Sequence, residues 1–303
     1  MKILVTGGAG FIASHVAELF IAQGHQVGIL DNFSTGKREN IPQDAQFFEA
    51  DITNREQVAR VMSEFKPEVI NHHAAHIQVG YSVQNPQFDA TSNILGLLNI
   101  MEEARLNGVK KVMMASTGGA MYGDQPTPFH EGMKEQPLSP YGVSKRAGEL
   151  YLHYYYSQYQ IPYVVLRYSN VYGPRQNPHG ESGIVSIFAE KMLAGEQPII
   201  NGPGTNTRDY VHVRDVAQAN LLALNHDSIG IFNIGTKTEV TANEVFHLLN
   251  DAMGTHFEEI HGPARPGEQV TSSLDYSLAT RTLSWKPTIS FSEGIQDLVK
   301  SLR

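Results

Sequence analysis

KILVTGGAGFIASHVAELFIAQGHQVGILD, residues 2–31, is the stretch on which the fold turns. It opens with the apolar run Lys2–Thr6 and then bends through Gly7, Gly8 and Gly10. His15–Gln23 follows with apolar residues at helical spacing, and Gln26–Leu30 is a second short apolar run closed by Asp31. Strand, glycine turn, helix and strand within roughly 30 residues make one βαβ unit. A glycine pattern alone is a weak signal. Placed directly after a strand, at the opening of a helix, with an acid at the end of the next strand, it reads as a dinucleotide site. The glycines let the backbone approach a pyrophosphate, whose charge then rests on free N–H groups at the helix N-terminus. Asp31 stands where a carboxylate accepts hydrogen bonds from an adenosine ribose and repels a 2′-phosphate. That favours NAD over NADP, with Lys37 and Arg38 nearby as the opposing signal.

The rhythm continues outward from this unit. Gln46–Ala50, Val69–His72, Lys111–Ala115 and Tyr163–Arg167 read as strands, and Arg55–Phe65, Ser92–Leu106 and Ser144–Tyr159 as helices. Apolar strands alternating with helices predict an α/β, Rossmann-type, doubly wound parallel sheet covered on both faces. After about residue 170 the alternation weakens and Gly and Pro become frequent, as in GPRQNPHGES and NGPGTNT. Helical pattern returns at Ile184–Leu193, Val213–Ala223 and Glu244–Met253. The expectation is a nucleotide-binding domain over 1–168, rejoined by 212–237, and a smaller, partly interleaved C-terminal substrate domain from 169–211 and 238–303.

The bulk chemistry narrows the function classes. A formal charge of −8 disfavours nucleic acid and anionic membranes, which reward basic surfaces. With no cysteine there is no thiolate nucleophile, no disulfide and no thiolate-bound metal. No apolar run approaches the ~20 residues of a membrane span. The opening MKILVTGGAG gives way to the glycine turn before any signal-peptide core. A cytoplasmic protein is the expectation.

Within SPYGVSK, residues 139–145, Tyr141 and Lys145 are spaced i, i+4 on one helix face. A free phenol titrates near pH ~10 and is a poor base at neutrality. A nearby ammonium, and the positive ring of an oxidised nicotinamide, both favour the phenolate. Tyr141 then becomes a general base able to take a hydroxyl proton.

TGGAGFIAS, Asp31, Asp51-Ile52, NHHAAH, PYGVSK, RYSNVYGPR, TRDYVHVRDV and RPGE occur in that order across nearly the whole chain. This resembles the extended branch of the short-chain dehydrogenase/reductase superfamily, and within it the UDP-glucose 4-epimerases. The resemblance implies that Gly7, Gly10, Phe11 and Ile12 line the pyrophosphate of NAD. Asp31 and Asn32 hold its adenosine ribose, and Asp51 and Ile52 flank the adenine. Ala74, Ala75 and His76 pass under the nicotinamide half, Asn93 steadies the adjoining loop, and Tyr168 closes that side. Tyr141 is implied as the base, with Lys145 on the nicotinamide ribose. On the substrate side Asn170 meets the diphosphate, Arg208 and Arg265 clamp UDP, and Glu268 takes the uridine ribose. The third turn glycine of the family is Ala13 here.

One motif departs from the pattern. In the family a Ser or Thr four residues before the tyrosine of the VYG-type motif hydrogen-bonds the reacting sugar hydroxyl. In ASTGGAMYGD, residues 115–124, that place before Tyr122 is Gly118. Thr117 is the expected substitute, with the glycines granting backbone freedom or room for a bridging water. Ser116 and Thr117 also fit a plain strand-end role. Related sugar-nucleotide 4,6-dehydratases carry an Asp-Glu pair where this chain has Gly119 and Ala120, so elimination lacks its acid–base pair. What remains is redox at C4 of a UDP-hexose, interconverting UDP-glucose and UDP-galactose. UDP-glucuronate and UDP-N-acetylglucosamine are the alternative substrates, with Arg175 and His179 placed to accept a C6 carboxylate. A catalytically silent NAD-binding regulator is the alternative of another class. The histidines of NHHAAH carry no acid beside them, so no metal is expected. A homodimer through the helices at Ser92–Leu106 and Ser144–Tyr159 is implied by the resemblance.

Overall fold

The computed structural model describes residues 1–178, 183–264 and 269–302. Its centre is a seven-stranded parallel sheet formed by β1 (Lys2–Thr6), β2 (Gln26–Asp31), β3 (Gln46–Glu49), β4 (Val69–His72), β5 (Lys111–Thr117), β6 (Tyr163–Tyr168) and a later strand, Gly230–Ile234. Between them run α1 (Phe11–Ala22), α2 (Arg55–Phe65), α3 (Val79–Gln84), α4 (Pro86–Ala90), α5 (Gly96–Leu106) and α6 (Pro140–Tyr159). The chain continues through β7 (Asn170–Tyr172), α7 (Ile184–Leu193), β8 (Ile200–Asn201), β9 (Thr207–Arg208), β10 (Tyr210–His212) and α8 (Val213–Leu224). The later sheet strand is β11. Beyond it come β12 (Val240–Thr241), α9 (Ala242–Met253), β13 (His261–Gly262), α10 (Ser277–Leu283) and α11 (Phe291–Ser301).

Strand order is β11-β6-β5-β4-β1-β2-β3. The chain winds from β1 outward to β3, returns to β4 beside β1, and winds the other way. A crevice therefore opens past the C-terminal ends of β1 and β4, the usual ligand position in such sheets. Side chains alternate between two dry faces. Ile3, Val5, Ile29 and Leu166 join a core with α1 and α8, while Leu4, Leu30, Ile70 and Val165 join one with α2, α5 and α6. A third core is built by α7, α9 and α11.

The chain crosses between these bodies more than once. β11 lies against β6, and α8 packs its Val216, Ala219 and Ala223 into the α1 core. Later still, Ala279, Leu283 and Trp285 return to that same core, whereas Ile295 and Leu298 of α11 belong to the third.

Several helices start earlier than the sequence reading: α1 begins at Phe11 rather than His15, and α9 at Ala242 rather than Glu244. α6 starts at Pro140 rather than Ser144. Ser139 is its N-cap, accepting from Gly142 N at 3.2 Å, and Pro140 fills the first turn, where a missing N–H costs nothing. The single helix expected over Ser92–Leu106 begins earlier as α4 and passes through a π-helical turn, Thr91–Leu95, before α5. That turn carries Asn93.

Candidate active site

The crevice holds a cavity of about 670 Å³ that extends from the glycine turn past Tyr141 and Lys145 to β7 and β10. Gly7 lies on its wall with φ at 70°, and a Cβ there would stand 2.7 Å from the main-chain N of Ala74. Backbone meets backbone at this point, so only glycine fits. Gly10 is the N-cap of α1 and brings no side chain to it, which leaves the first N–H groups of the helix open to an anion. Phe11, Ile12 and Ala13 line the cavity beside it.

Asp31, at the end of β2, accepts from Ala9 N at 3.0 Å and from Phe33 N at 2.8 Å. Burial raises its pKa, and these backbone donors hold the rise in check. Asn32 donates to Asp51 Oδ2 at 2.9 Å, which joins two expected adenosine contacts into one rim with Ile52. Burial pushes the Asp51 carboxyl upward, but hydrogen bonds from Thr53 and Asn32 outweigh it and keep the group ionised. The two cations that opposed an NAD reading face elsewhere. Arg38 stacks on Phe33 at 4.7 Å and pairs with Glu49 at 3.5 Å, and Lys37 pairs with Glu39 at 3.6 Å.

Under the middle of the cavity run Ala74, Ala75 and His76. Asn93 does not line the cavity; it holds this loop from behind. Its Oδ1 accepts from His76 N at 2.8 Å, and its Nδ2 donates to His76 O at 2.9 Å and to Asp89 Oδ1 at 3.0 Å. His72 is tied to Thr6 Oγ1 at 2.8 Å and His73 to Tyr168 OH at 3.2 Å. Burial and the Lys145 charge depress both histidines to about 3, so they are neutral at any working pH. Among the described residues no three His, Cys, Asp or Glu side chains are placed to hold a metal ion.

Tyr141 sits in the first turn of α6, its main-chain N–H donating to Ser82 Oγ of α3 at 3.2 Å. Lys145, one turn on, reaches 5.9 Å from the Tyr141 ring centre and donates to Ala115 O at 3.1 Å. Burial lowers its pKa to about 8, with Asp89 and Glu149 opposing the fall. Neutral Tyr168 completes this wall. Burial pushes its phenol well up, and Asn220 donates to its oxygen at 2.8 Å.

Ser116 and Thr117 of the ASTGGAMYGD stretch both line the cavity, but their hydroxyls are engaged differently. Ser116 donates to Glu149 Oε1 at 2.8 Å, inside a buried group in which Arg167 also grips Glu149, at 2.8 and 2.6 Å. Thr117 lines the cavity, its oxygen accepting from Ala120 N at 3.2 Å, and the hydroxyl proton stays available to a ligand. Gly118 is outside the cavity lining. Neither Gly118 nor Gly119 has a positive φ, so the reading of these glycines as sources of backbone freedom is replaced by one of space.

On the far side Asn170 lines the cavity from β7, its N–H held by Asp209 O at 2.9 Å. Arg208 lies in β9, donates from Nη1 to Thr207 O at 2.7 Å, and is not among the described lining residues. Arg265, Glu268 and His179 lie outside the described residues. Arg175 is committed to α1, donating to Ser14 Oγ at 3.1 Å and Glu18 Oε1 at 2.6 Å, so it is not offered to a sugar carboxylate. Sequence reasoning missed Ser82, Glu149 and Asn220. Glu149 carried a signal, an acid one turn beyond Lys145, whereas Asn220 is brought in only by the return of α8.

Residues 3–235 match the NAD dependent epimerase/dehydratase family. The UDP-glucose 4-epimerase of Mycolicibacterium smegmatis is 42% identical over 310 residues, covering 100% of this chain and 99% of its own. Among solved structures, the Thermotoga maritima UDP-glucose 4-epimerase with UDP-glucose is 45% identical, with a TM-score of 0.98 over 100% of this chain and 99% of that one. The Thermus thermophilus UDP-glucose 4-epimerase complexed with NAD is 44% identical at a TM-score of 0.95, again over 100% and 99%. The crevice at the β1–β4 switch, the glycine cradle and the Tyr141–Lys145 pair therefore belong to a member of the NAD-dependent epimerase/dehydratase family.

Proposed function

We propose that the protein is a cytoplasmic NAD-dependent 4-epimerase of a UDP-hexose, interconverting UDP-glucose and UDP-galactose through a 4-keto sugar. Residues 1–168 with 212–237 form the cofactor half and 169–211 with 238–303 the sugar-nucleotide half, except that α10 and Trp285, expected in the latter, pack into the core of the former. The observation that carries the reading is one continuous cavity joining the Gly7–Gly10 cradle and Asp31 to Thr117, Tyr141 and Asn170. The cradle fits a dinucleotide, because the first N–H groups of α1 after Gly10 carry no side-chain cap and Asp31 repels a 2′-phosphate. Gly7, Gly10, Phe11 and Ile12 would hold the pyrophosphate, Asp31, Asn32, Asp51 and Ile52 the adenosine, and Ala74, Ala75, His76 and Tyr168 the nicotinamide end. Bound NAD supplies reversible acceptance of a hydride at C4.

The chain's own residues do the rest. Tyr141 takes the C4 hydroxyl proton, and the Lys145 ammonium makes that transfer favourable by stabilising the phenolate. The Thr117 hydroxyl, in place of one at Gly118, meets the same sugar oxygen. Asn170, with Arg208, Arg265 and Glu268, anchors UDP while the keto sugar turns to present its other face. Tyr141 then returns the proton, with no net redox change. Gly119 and Ala120 offer no acid or base for elimination.

A neutral hexose is favoured over a uronate. Lys145 is the one lysine or arginine among the described lining residues, and it is occupied beside the base. The protein also pairs with a second copy through the outer face of α6. The decisive assay incubates the purified protein with UDP-galactose, UDP-glucuronate and UDP-N-acetylglucosamine and follows the C4 epimers by NMR. UDP-galactose converts fastest, and Tyr141→Phe lowers its turnover by at least about 100-fold while retaining NAD. A protein that holds NAD and converts none of the three sugars is the silent regulator instead.

A further inference from the structure

Leu274 stands behind the reactive strand end, fully buried in a small cluster with Met121, Tyr122 and Phe129. A Cβ built on Gly118 would lie 2.6 Å from its Cδ2 and 3.0 Å from its Cγ, with Cδ1 closer still. Gly119 is different. The nearest atoms to a Cβ there are Asn170 Oδ1 and Ser272 Oγ, both at an ordinary 3.9 Å. Of the two glycines, only Gly118 is dictated by a neighbour, and that neighbour comes from the opposite end of the chain.

The Leu274 main chain is held in place, and its side chain is confined by burial among Met121, Tyr122 and Phe129. Its N–H donates to Asp209 Oδ2 at 3.0 Å, and the same carboxylate accepts from Thr236 N at 2.9 Å and Lys237 N at 3.1 Å. The flanking backbone bridges to Phe129, whose N–H donates to Ser273 O at 2.8 Å and whose carbonyl accepts from Asp275 N at 2.7 Å. Gly118 is pinned as well, its N–H donating to Tyr168 O at 2.7 Å. Asp209 in turn supplies the carbonyl that holds Asn170. One buried residue thus ties Leu274 to the strand end that meets the sugar nucleotide.

We propose that Leu274 is a positioning residue for the epimerisation. Its side chain fills the volume a side chain at position 118 would need, and it presses the end of β5 into the setting that presents the Thr117 hydroxyl to the cavity. The proposal rests on the epimerase reading for its catalytic part, while its steric part stands on packing alone. Gly118 and Leu274 are in contact, so substitutions at the two positions are expected to couple rather than add.

The test is a set of variants read for kcat, KM and Tm, with UDP-galactose as substrate. Gly118→Ser lowers Tm and cuts kcat at least tenfold, and Gly119→Ala does neither. Leu274→Ala cuts kcat several-fold with KM for UDP-galactose within about twofold, and Leu274→Met restores it. In Gly118→Ser/Leu274→Ala the Tm loss caused by the serine shrinks, while Thr117→Val stays inactivating in every background, because position 118 faces the Leu274 cluster and not the cavity. Parental kcat in Leu274→Ala, or equal Tm losses from Gly118→Ser with and without Leu274, overturns the proposal. A parent that converts no UDP-sugar overturns the epimerase reading instead, and the Tm cycle still decides the packing claim.

Discussion

At Lys145 burial and chemistry pull in opposite directions. Desolvation disfavours the ammonium and brings its pKa down to about 8, while Asp89 and Glu149 work against the fall. An unfolded lysine holds its proton to about pH 10.4. Below the folded pKa the buried charge therefore costs stability, and that cost is relieved progressively as pH rises from about 8 to about 10.4. The catalytic contribution has the other sign. The charge that favours the Tyr141 phenolate is present below about 8 and is lost above it. Turnover is thus expected to decline as pH rises through that region even as the folding cost eases. Lys145→Met should lower kcat by about 100-fold or more and abolish the alkaline decline in what activity remains. A pH–rate profile in which the variant keeps the parental alkaline limb would show that some other group sets it. His72 and His73, neutral down to about 3, cannot supply such a limb.

α6 delivers Tyr141 and Lys145 to the cavity, and its distance from the sheet is set by a small residue. A Cβ on Gly148 would meet Leu97 Cδ2 at 3.0 Å and Met114 Sδ at 3.2 Å, so the helix lies as close to α5 and β5 as a glycine permits. Gly148→Val should push it outward, costing about 1–3 kcal/mol of stability and about tenfold or more in kcat through misplacement of the base. Denaturant melts and steady-state kinetics check this. Parental kcat in the valine variant would mean that α6 tolerates the shift. Much at this scale was legible in the sequence. Short, nearly continuous apolar runs mark the strands because both faces of the sheet are dry, and α2 and α7 are bounded as their apolar spacing predicts. Helix starts were less legible. Ser139 and Pro140 carry the cap signals of α6, yet apolar periodicity begins only a turn later. The π-turn at Thr91–Leu95 is invisible to any fixed period, because it adds a residue to a helix that otherwise continues. The cavity residues that follow strands β1, β2 and β4 could be read from local motifs. The reason for Gly118 could not, since Leu274 reaches it only through the tertiary fold.

In the whole molecule, the outer face of α6 is the feature that the monomer leaves unanswered. The inner face buries Leu152 and Tyr155, but Val143, Leu150 and Tyr154 stay 52%, 53% and 46% exposed. Their spacing, i, i+7 and i+11, puts them in one stripe along a helix of 20 residues. Leu95, which closes the π-turn ahead of α5, and Leu106, the last residue of α5, are 53% and 57% exposed as well. Scattered exposed leucines mean little, but an apolar stripe running along one helix face points to a partner. A second copy is the fitting one, because a two-fold axis lays α6 against its own equivalent and covers the same residues on both protomers. This face lies on the outside of the helix whose inner side carries the base, so pairing would brace α6 without entering the cavity. Leu150→Glu combined with Tyr154→Glu should convert a dimer to a monomer by light scattering, lower Tm, and leave NAD bound. Since the glycine cradle and Asp31 are untouched, cofactor content should not fall with the mass. A parent already monomeric at micromolar concentration, or a double variant that stays dimeric, would move the interface away from α6.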